Sequence, residues 1–129
     1  LGWVTPAEVD ELGLTQAVRT AMERALQQIG GGYAEVIIDG NLNFLAHMPR
    51  TRAMVKADDT VAAVSAASIV AKVARDKYME TLALDYPGYG FEKHVGYGTA
   101  SHRACLRALG VSEVHRKSYK PIKALLELA

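Results

Sequence analysis

The 129-residue chain is half hydrophobic and carries 15 basic and 14 acidic side chains, which allows one modest domain with a core and excludes wholesale disorder. Its single cysteine, Cys105, excludes an internal disulfide and fits a reducing compartment. No apolar run approaches the roughly 20 residues that span a bilayer, and no secretory signal is visible, so we expect a cytoplasmic protein without a membrane segment.

The charges are unevenly distributed along the chain. Residues 1–40 contain six acids and two arginines, whereas residues 91–129 contain seven basic residues and three acids. This asymmetry is consistent either with a nucleic-acid-facing end or with a solvated basic surface.

Helical and extended segments alternate, which predicts the α/β class. Thr5-Pro6-Ala7-Glu8 has the form of a capping box with proline at the first helical position, so a short helix begins here and ends near Gly13. The further elements that we predict, in chain order, are a helix at about 15–28, a strand at 35–39, an extended segment at 53–56, a long helix at about 60–84, a glycine- and aromatic-rich loop at 86–99, and helices at 101–109 and 122–128. In the second helix, the spacing predicts one buried face, formed by Val18, Met22, Ala25, Leu26 and Ile29.

Two carboxylate positions could carry chemistry. Asp39 ends an apolar strand, where α/β folds place reactive groups, although an Asp-Gly pair also suits a simple turn. Asp58 and Asp59 precede the long helix, where one of them could be its N-cap while the other faces Asp39. Two such carboxylates could share a hard divalent cation, but they do not define a metal site by themselves.

Other site classes find little support in the sequence. The four histidines lack zinc-ligand spacing, and there is no nucleophile elbow, P-loop or dinucleotide-binding motif. Tyr97 lies between Gly96 and Gly98, so its ring either stacks on a base or sugar or packs over the core. Arg116 suits phosphate contact or a solvated basic loop.

Six blocks in order resemble the type 2 ribonuclease H (ribonuclease HII) family. They are Ile37-Ile38-Asp39-Gly40, Val55-Lys56-Ala57-Asp58, the run from Ser65 to Asp76, Tyr86-Pro87-Gly88-Tyr89-Gly90-Phe91, His94-Val95-Gly96-Tyr97-Gly98-Thr99 with His102, and His115-Arg116-Lys117-Ser118-Tyr119-Lys120-Pro121. The resemblance runs from Gly2-Trp3 to Pro121, and the Ala-Ala-Ser-Ile-Val-Ala-Lys-Val run within it is highly specific.

The resemblance implies a ribonuclease H-like fold and an endoribonuclease. Members of that family hydrolyse RNA in RNA–DNA hybrids and nick duplex DNA 5′ to an embedded ribonucleotide, with Mg²⁺ or Mn²⁺ held by four carboxylates. Asp39 matches the third of these carboxylates and Asp58 the fourth. Tyr97 matches the tyrosine that packs against the sugar at the junction, and Arg116, Lys56 and Lys72 fall at positions expected to contact nucleic acid.

The chain also departs from the family pattern. The Asp-Glu-Ala-Gly-Arg-Gly motif, which carries the first two ligands, is absent, as is the following Asp-Ser-Lys segment, and Val95 replaces a common lysine. We therefore expect residues 1–129 to be a single partial domain, the C-terminal portion of a monomeric enzyme, with central strands of the sheet missing. We expect little nuclease activity from it alone and an exposed apolar sheet prone to aggregation. The alternative is a non-catalytic remnant or a nucleic-acid-binding or interaction module.

Overall fold

The computed structural model describes residues 1–128 and confirms the α/β class. Contacts divide the chain into two compact units, Leu1–Ile69 and the residues from Val70 onward. The elements are α1 (Pro6–Leu12), α2 (Leu14–Ile29), β1 (Val36–Asp39), β2 (Thr51–Met54), α3 (Ala57–Thr60), α4 (Ala62–Asp85), α5 (Phe91–His94), α6 (Ala100–Leu109) and α7 (Lys120–Glu127). Among these described helices, none has both the length and the apolar character needed to cross a membrane.

The first two helices begin as predicted. The Thr5 hydroxyl accepts the Glu8 N–H at 3.2 Å, and the Glu8 carboxylate accepts the Thr5 N–H at 2.7 Å, which completes the capping box. A hydrogen bond from Arg24 and the bonds from Thr5 lower the pKa of Glu8 to about 2. In α2 the predicted face is only half-buried at Val18, Met22, Ala25 and Leu26. The prediction of a buried Ile29 is wrong, because this residue ends the helix just before left-handed Gly30 and is 63% exposed.

The two strands pair in parallel, with Val36 opposite Thr51 and Asp39 opposite Met54. The connection between them contains the buried side chain of Leu45, which is 1% exposed. The Thr51 hydroxyl, which donates toward the carbonyls of Leu45 and Met48, ties this connection to the start of β2. Because parallel strands end at the same edge of a sheet, the segment after Met54 begins beside Asp39.

Several element boundaries differ from the prediction, and α7 begins two residues early, at Lys120. The strand β2 begins and ends two residues before the predicted extended segment, because Thr51 is drawn into the sheet by its hydroxyl contacts. The predicted long helix is α4, which begins two residues later than expected because Val61 is extended (φ −118°, ψ 109°), and the short helix α3 before it was not predicted. The loop at 86–99 contains the short helix α5, which begins after left-handed Gly90.

The second unit has an apolar core built around aromatic rings. Phe91, 2% exposed, stacks on Tyr89 with ring centroids 5.3 Å apart and an interplanar angle of 7°. The other buried members are Met79, Leu106 and Ile122, one each from α4, α6 and α7. This core fixes the loop that carries Tyr97 to three helices of the same unit.

Candidate metal and nucleic-acid site

Asp39 lies at the carboxyl end of β1, as predicted, and a hydrogen bond to the following segment holds its carboxylate. Its Oδ1 accepts the backbone N–H of Ala57 at 2.9 Å. The chain reaches this position because Lys56 adopts the left-handed conformation (φ 55°, ψ 39°) and turns the segment after β2 back toward β1. The bond therefore joins the strand end to the residue that immediately precedes Asp58.

Asp58 and Asp59 both lie in the first turn of α3 and are exposed to solvent. The prediction that one of them is the N-cap of the long helix is wrong. Lys56 occupies the N-cap position of α3 without a capping bond from its own side chain, and α4 begins later, after Val61. Asp39 performs the capping role from the neighbouring strand, which leaves Asp58 available for other partners.

The donor set at this edge fits part of a site for a hard cation. Asp39 and Asp58 offer carboxylate oxygens, the ligands that Mg²⁺ and Mn²⁺ prefer, and Mg²⁺ commonly binds through one or two carboxylates while it keeps several waters. Within residues 1–128, no three His, Cys, Asp or Glu side chains are grouped so that they could hold a metal ion. Asp39 and Asp58 would thus form only part of a metal site.

Tyr97, in the second unit, has an exposed ring. Its side chain is 67% exposed, so the interpretation that it packs over the core is wrong. The Arg75 guanidinium lies 5.9 Å from the ring centroid and donates to the carbonyl of Val95 at 2.9 Å. Arg75 is not among the predicted site residues, because no sequence motif connects it with Tyr97, 22 positions further along the chain.

A groove of about 550 Å³ lies between α4 and the Tyr97 loop, which we define as residues 95–99. Its lining includes the predicted nucleic-acid residues Lys72 and Tyr97, together with Arg75 and Lys93. The acids Asp76, Glu80 and Glu92 also line it, and Lys72 forms an i,i+4 ion pair with Asp76. The groove is therefore mixed in charge, with an aromatic ring at its border.

The other two predicted nucleic-acid residues lie elsewhere. Arg116 is exposed, and its guanidinium lies 5.0 Å from the ring centroid of Tyr119. Lys56 is exposed in the first unit, at the turn that precedes Asp58. Each unit thus presents basic side chains to solvent, Lys56 in the first and Lys72 and Arg116 in the second.

Three buried histidines in the second unit were missed by the sequence reasoning. His94, His102 and His115 are 6%, 5% and 7% exposed. The rings of His94 and His102 stack with centroids 4.1 Å apart, and Nε2 of His102 lies 3.2 Å from Nε2 of His115. Their positions in the sequence match no metal spacing, and only the fold brings them together.

Burial lowers the pKa of His102, and burial together with the neighbouring His102 lowers the pKa of His115. The unfolded chain therefore binds protons more readily than the folded chain as the pH falls below about 6.5. We expect the urea concentration at the midpoint of unfolding to decrease when the pH is lowered from about 7 to about 5. The contribution of Glu8 is lost in a separate window, below its ordinary pKa of 4.5. A midpoint that stays level or rises between pH 7 and 5 would contradict this expectation.

The chain is similar in sequence to known proteins of one family. A family model described as Ribonuclease HII matches residues 3–122. Ribonuclease HII of Shewanella sp. (strain W3-18-1) is 43% identical over 131 residues, covering 98% of this chain and 63% of that protein. Ribonuclease HII of Shewanella piezotolerans (strain WP3 / JCM 13877) is 45% identical over 123 residues, covering 95% of this chain and 60% of that protein. The chain therefore spans less than two thirds of the length of these curated relatives.

Proposed function

This chain belongs to the ribonuclease HII family, and on that premise we propose that it forms part of the active site of an endoribonuclease. The enzyme would hydrolyse RNA in RNA–DNA hybrids and nick duplex DNA 5′ to embedded ribonucleotides. The observation that supports this most strongly is the hydrogen bond from Ala57 to Asp39, because it links two carboxylate-bearing segments that resemble the family's metal-binding blocks.

Asp39 and Asp58 are the residues that would hold Mg²⁺ or Mn²⁺ in this proposal. When bound, such ions supply an activated water and stabilise the leaving oxygen of a phosphodiester. The contribution of the chain is geometric, since β1 and α3 hold Asp39 close to the segment that carries Asp58. A carboxylate fixed in this way loses less conformational freedom when it binds an ion than a mobile one does.

The remaining carboxylates would come from a segment with the family's Asp-Glu-Ala-Gly-Arg-Gly motif, which does not occur in residues 1–129. We infer that the two units are portions of one ribonuclease H-like domain, completed by strands from that segment into a monomeric, cytoplasmic enzyme. The sheet formed by β1 and β2 supports this, because two-stranded sheets are marginal by themselves. Residues 1–129 alone would then have little or no activity.

Nucleic acid would contact exposed groups of both units. Tyr97 has the exposure needed for its ring to pack against a sugar at the ribonucleotide–deoxyribonucleotide junction, where the 2′-hydroxyl distinguishes RNA from DNA. Lys72, Arg116 and Lys56 carry positive charge suited to phosphate contacts. The pairing of Lys72 with Asp76 raises the pKa of the lysine, so it stays charged at neutral pH.

Replacing Tyr97 by alanine should weaken binding to a duplex that contains one ribonucleotide. The loss of one aromatic stacking contact costs about 1–3 kcal/mol, or roughly 5- to 150-fold in affinity. The measurement is fluorescence anisotropy with an extended protein, in which a ribonuclease HII N-terminal segment is joined to residues 1–129. Tyr97→Phe keeps the ring and should bind within about threefold of the parent, and equal losses in the two variants would refute the ring contact.

A second candidate function is a nucleic-acid-binding module without catalysis. It is favoured by the observation that no three potential metal ligands are grouped in the described part of the chain. This candidate predicts binding through Tyr97 and the basic residues but no cleavage, even when the N-terminal segment is supplied. The cleavage assay described at the end of the Discussion separates the two.

A further inference from the structure

The buried histidines His94, His102 and His115 have no part in the function proposed above. Buried polar groups require hydrogen-bond partners, and within residues 1–128 no fully buried side-chain nitrogen or oxygen lacks one. The partners of these three rings fix the proton positions on each imidazole, because several of them can only donate or only accept.

His94 holds the residue before Tyr97. Its Nε2 lies 2.8 Å from the carbonyl oxygen of Tyr89, which can only accept, so Nε2 carries the proton. Its Nδ1 then has a lone pair and accepts the backbone N–H of Gly96 at 3.2 Å. Both bonds can form together only when the ring is neutral.

His102 holds Tyr97 itself. Its Nδ1 lies 2.9 Å from the carbonyl oxygen of Tyr97 and must therefore carry a proton. Its Nε2 then accepts from Nε2 of His115, 3.2 Å away, which must carry the proton of that pair. The Nδ1 of His115 accepts from the N–H of Ser112 at 3.2 Å and from its hydroxyl at 2.7 Å. The bonds thus run in one direction, from Ser112 through His115 and His102 to the backbone of Tyr97.

The Tyr97 loop has a backbone that needs such support. Val95 is β-branched yet lies in the left-handed region (φ 43°), a conformation that costs energy and persists only when its surroundings impose it. Gly96 follows at φ 84°. The Arg75 bond to the Val95 carbonyl and the two imidazole bonds hold three consecutive residues of the loop.

We propose that His94, His102 and His115 are positioning residues that hold the Tyr97 loop through a set of hydrogen bonds that is complete only when all three imidazoles are neutral. A second proton would place two donors against each other at Gly96 if His94 gained it, and at the His102–His115 contact if His102 gained it. On His115 it would face the Ser112 N–H, although the Ser112 hydroxyl can turn to accept it. The bond from Nδ1 of His102 to the Tyr97 carbonyl survives an added proton, whereas the Gly96 bond of His94 and the support of His102 by His115 are lost. The inference rests on the proposed function only in that Tyr97 would contact nucleic acid. The hydrogen bonds of the three histidines are present in the chain without nucleic acid.

The groups around the three rings do not offset an added proton. Tyr89, on the segment before α5, donates its hydroxyl to the Gly110 carbonyl. Glu113, near His115 in the sequence, bonds to the hydroxyl of Tyr86, and Cys105 of α6 packs against the apolar cluster. Arg75 of α4 is a cation near the loop and would not stabilise an imidazolium. The hydrogen bonds described for the rings involve no carboxylate.

The proton positions can be tested by NMR on the full chain with ¹⁵N-labelled histidine and no nucleic acid. At pH 7.5 we expect His102 protonated on Nδ1 and both His94 and His115 protonated on Nε2. As the pH falls, the amide resonances of Gly96 and Tyr97 should shift in step with the imidazole nitrogens. A different tautomer at His102, or loop amides that ignore the titration, would overturn the proposal.

Two substitutions at one position provide the matched comparison. His102→Asn places an amide N–H where Nδ1 lies and keeps the bond to Tyr97, whereas His102→Gln extends to the Nε2 position and loses that bond. The reporter is the backbone amide of Thr99, whose N–H donates to the Tyr97 carbonyl at 2.8 Å. Its hydrogen-exchange rate should be roughly tenfold faster in the Gln variant and near the parent rate in the Asn variant. Equal acceleration in both would show a packing role only and overturn the proposal.

These readouts separate this inference from the proposed function. If either variant fails to fold, the tautomers and the pH response of the parent chain still decide the matter. Because no nucleic acid is present, the failure of Tyr97→Ala to weaken duplex binding would count against the proposed use of Tyr97 and leave the histidine result unchanged.

Discussion

Asp39→Asn should abolish metal-dependent cleavage in the extended protein defined above, with a loss of at least about 100-fold. Removing a residue that only hydrogen-bonds to a metal ligand typically lowers metal affinity or activity 10- to 100-fold. The loss of a ligand itself should therefore lower activity more. The substitution keeps the size of the side chain, and the amide oxygen can still accept the Ala57 N–H that Asp39 accepts at 2.9 Å. The fold is thereby preserved while the charge that would hold the cation is lost.

Asp58→Asn should have a comparable effect, and Asp59→Asn provides the matched control. Asp59 lies beside Asp58 in the first turn of α3 and is equally exposed to solvent, but it matches no ligand in the family pattern. Cleavage of a duplex with one ribonucleotide is measured for each variant under Mg²⁺ and Mn²⁺. An active Asp39→Asn, Asp58→Asn double variant, or equal losses at Asp58 and Asp59, would end the assignment of the metal ligands.

Phe91→Ala should destabilise the second unit by about 3–5 kcal/mol, a large part of the total stability of an ordinary domain. The ring is 2% exposed and lies at the centre of the aromatic cluster, 5.3 Å from the ring centroid of Tyr89 and 5.6–5.9 Å from those of the three buried histidines. Its removal leaves a cavity and takes away the apolar surface on which the histidine rings pack.

The measurement for Phe91 is urea unfolding of the extended protein, followed by circular dichroism. Leu84→Ala is a suitable control, because Leu84 is 81% exposed on α4 and its truncation should change the free energy of unfolding by less than about 0.5 kcal/mol. A Phe91→Ala variant within about 1 kcal/mol of the parent would show that the cluster does not form the core of this unit.

Much of the fold could be predicted because local signals coincide with the structure. The capping box at Thr5 and Glu8 fixed the start of α1, the apolar run before Asp39 marked β1, and glycines marked the ends of α2 and α6. These signals act within a few residues of the chain, so a single sequence contains them. The short helix α3 was missed because its four residues are too few to show a helical period.

The candidate site was predictable only in part, for a similar reason. Asp39, Asp58 and Tyr97 belong to motifs that a family resemblance can identify. Three contacts of the site join residues far apart in the sequence: the bond from Ala57 to Asp39, the bond from Arg75 to Val95 and the bond between His102 and His115. They span 18, 20 and 13 positions, respectively. Such contacts follow from the path of the chain and leave no pattern in spacing or composition.

The central claim is that residues 1–129 carry part of a type 2 ribonuclease H active site that the family's N-terminal segment completes. The most direct test is cleavage of a single-ribonucleotide duplex, in Mg²⁺ or Mn²⁺, by residues 1–129 alone and by the extended protein, each with and without Asp39→Asn. We predict no cleavage by residues 1–129 and cleavage 5′ to the ribonucleotide by the extended protein that Asp39→Asn removes. Asp39-dependent cleavage by residues 1–129 alone, or no cleavage by the extended protein, would contradict the claim.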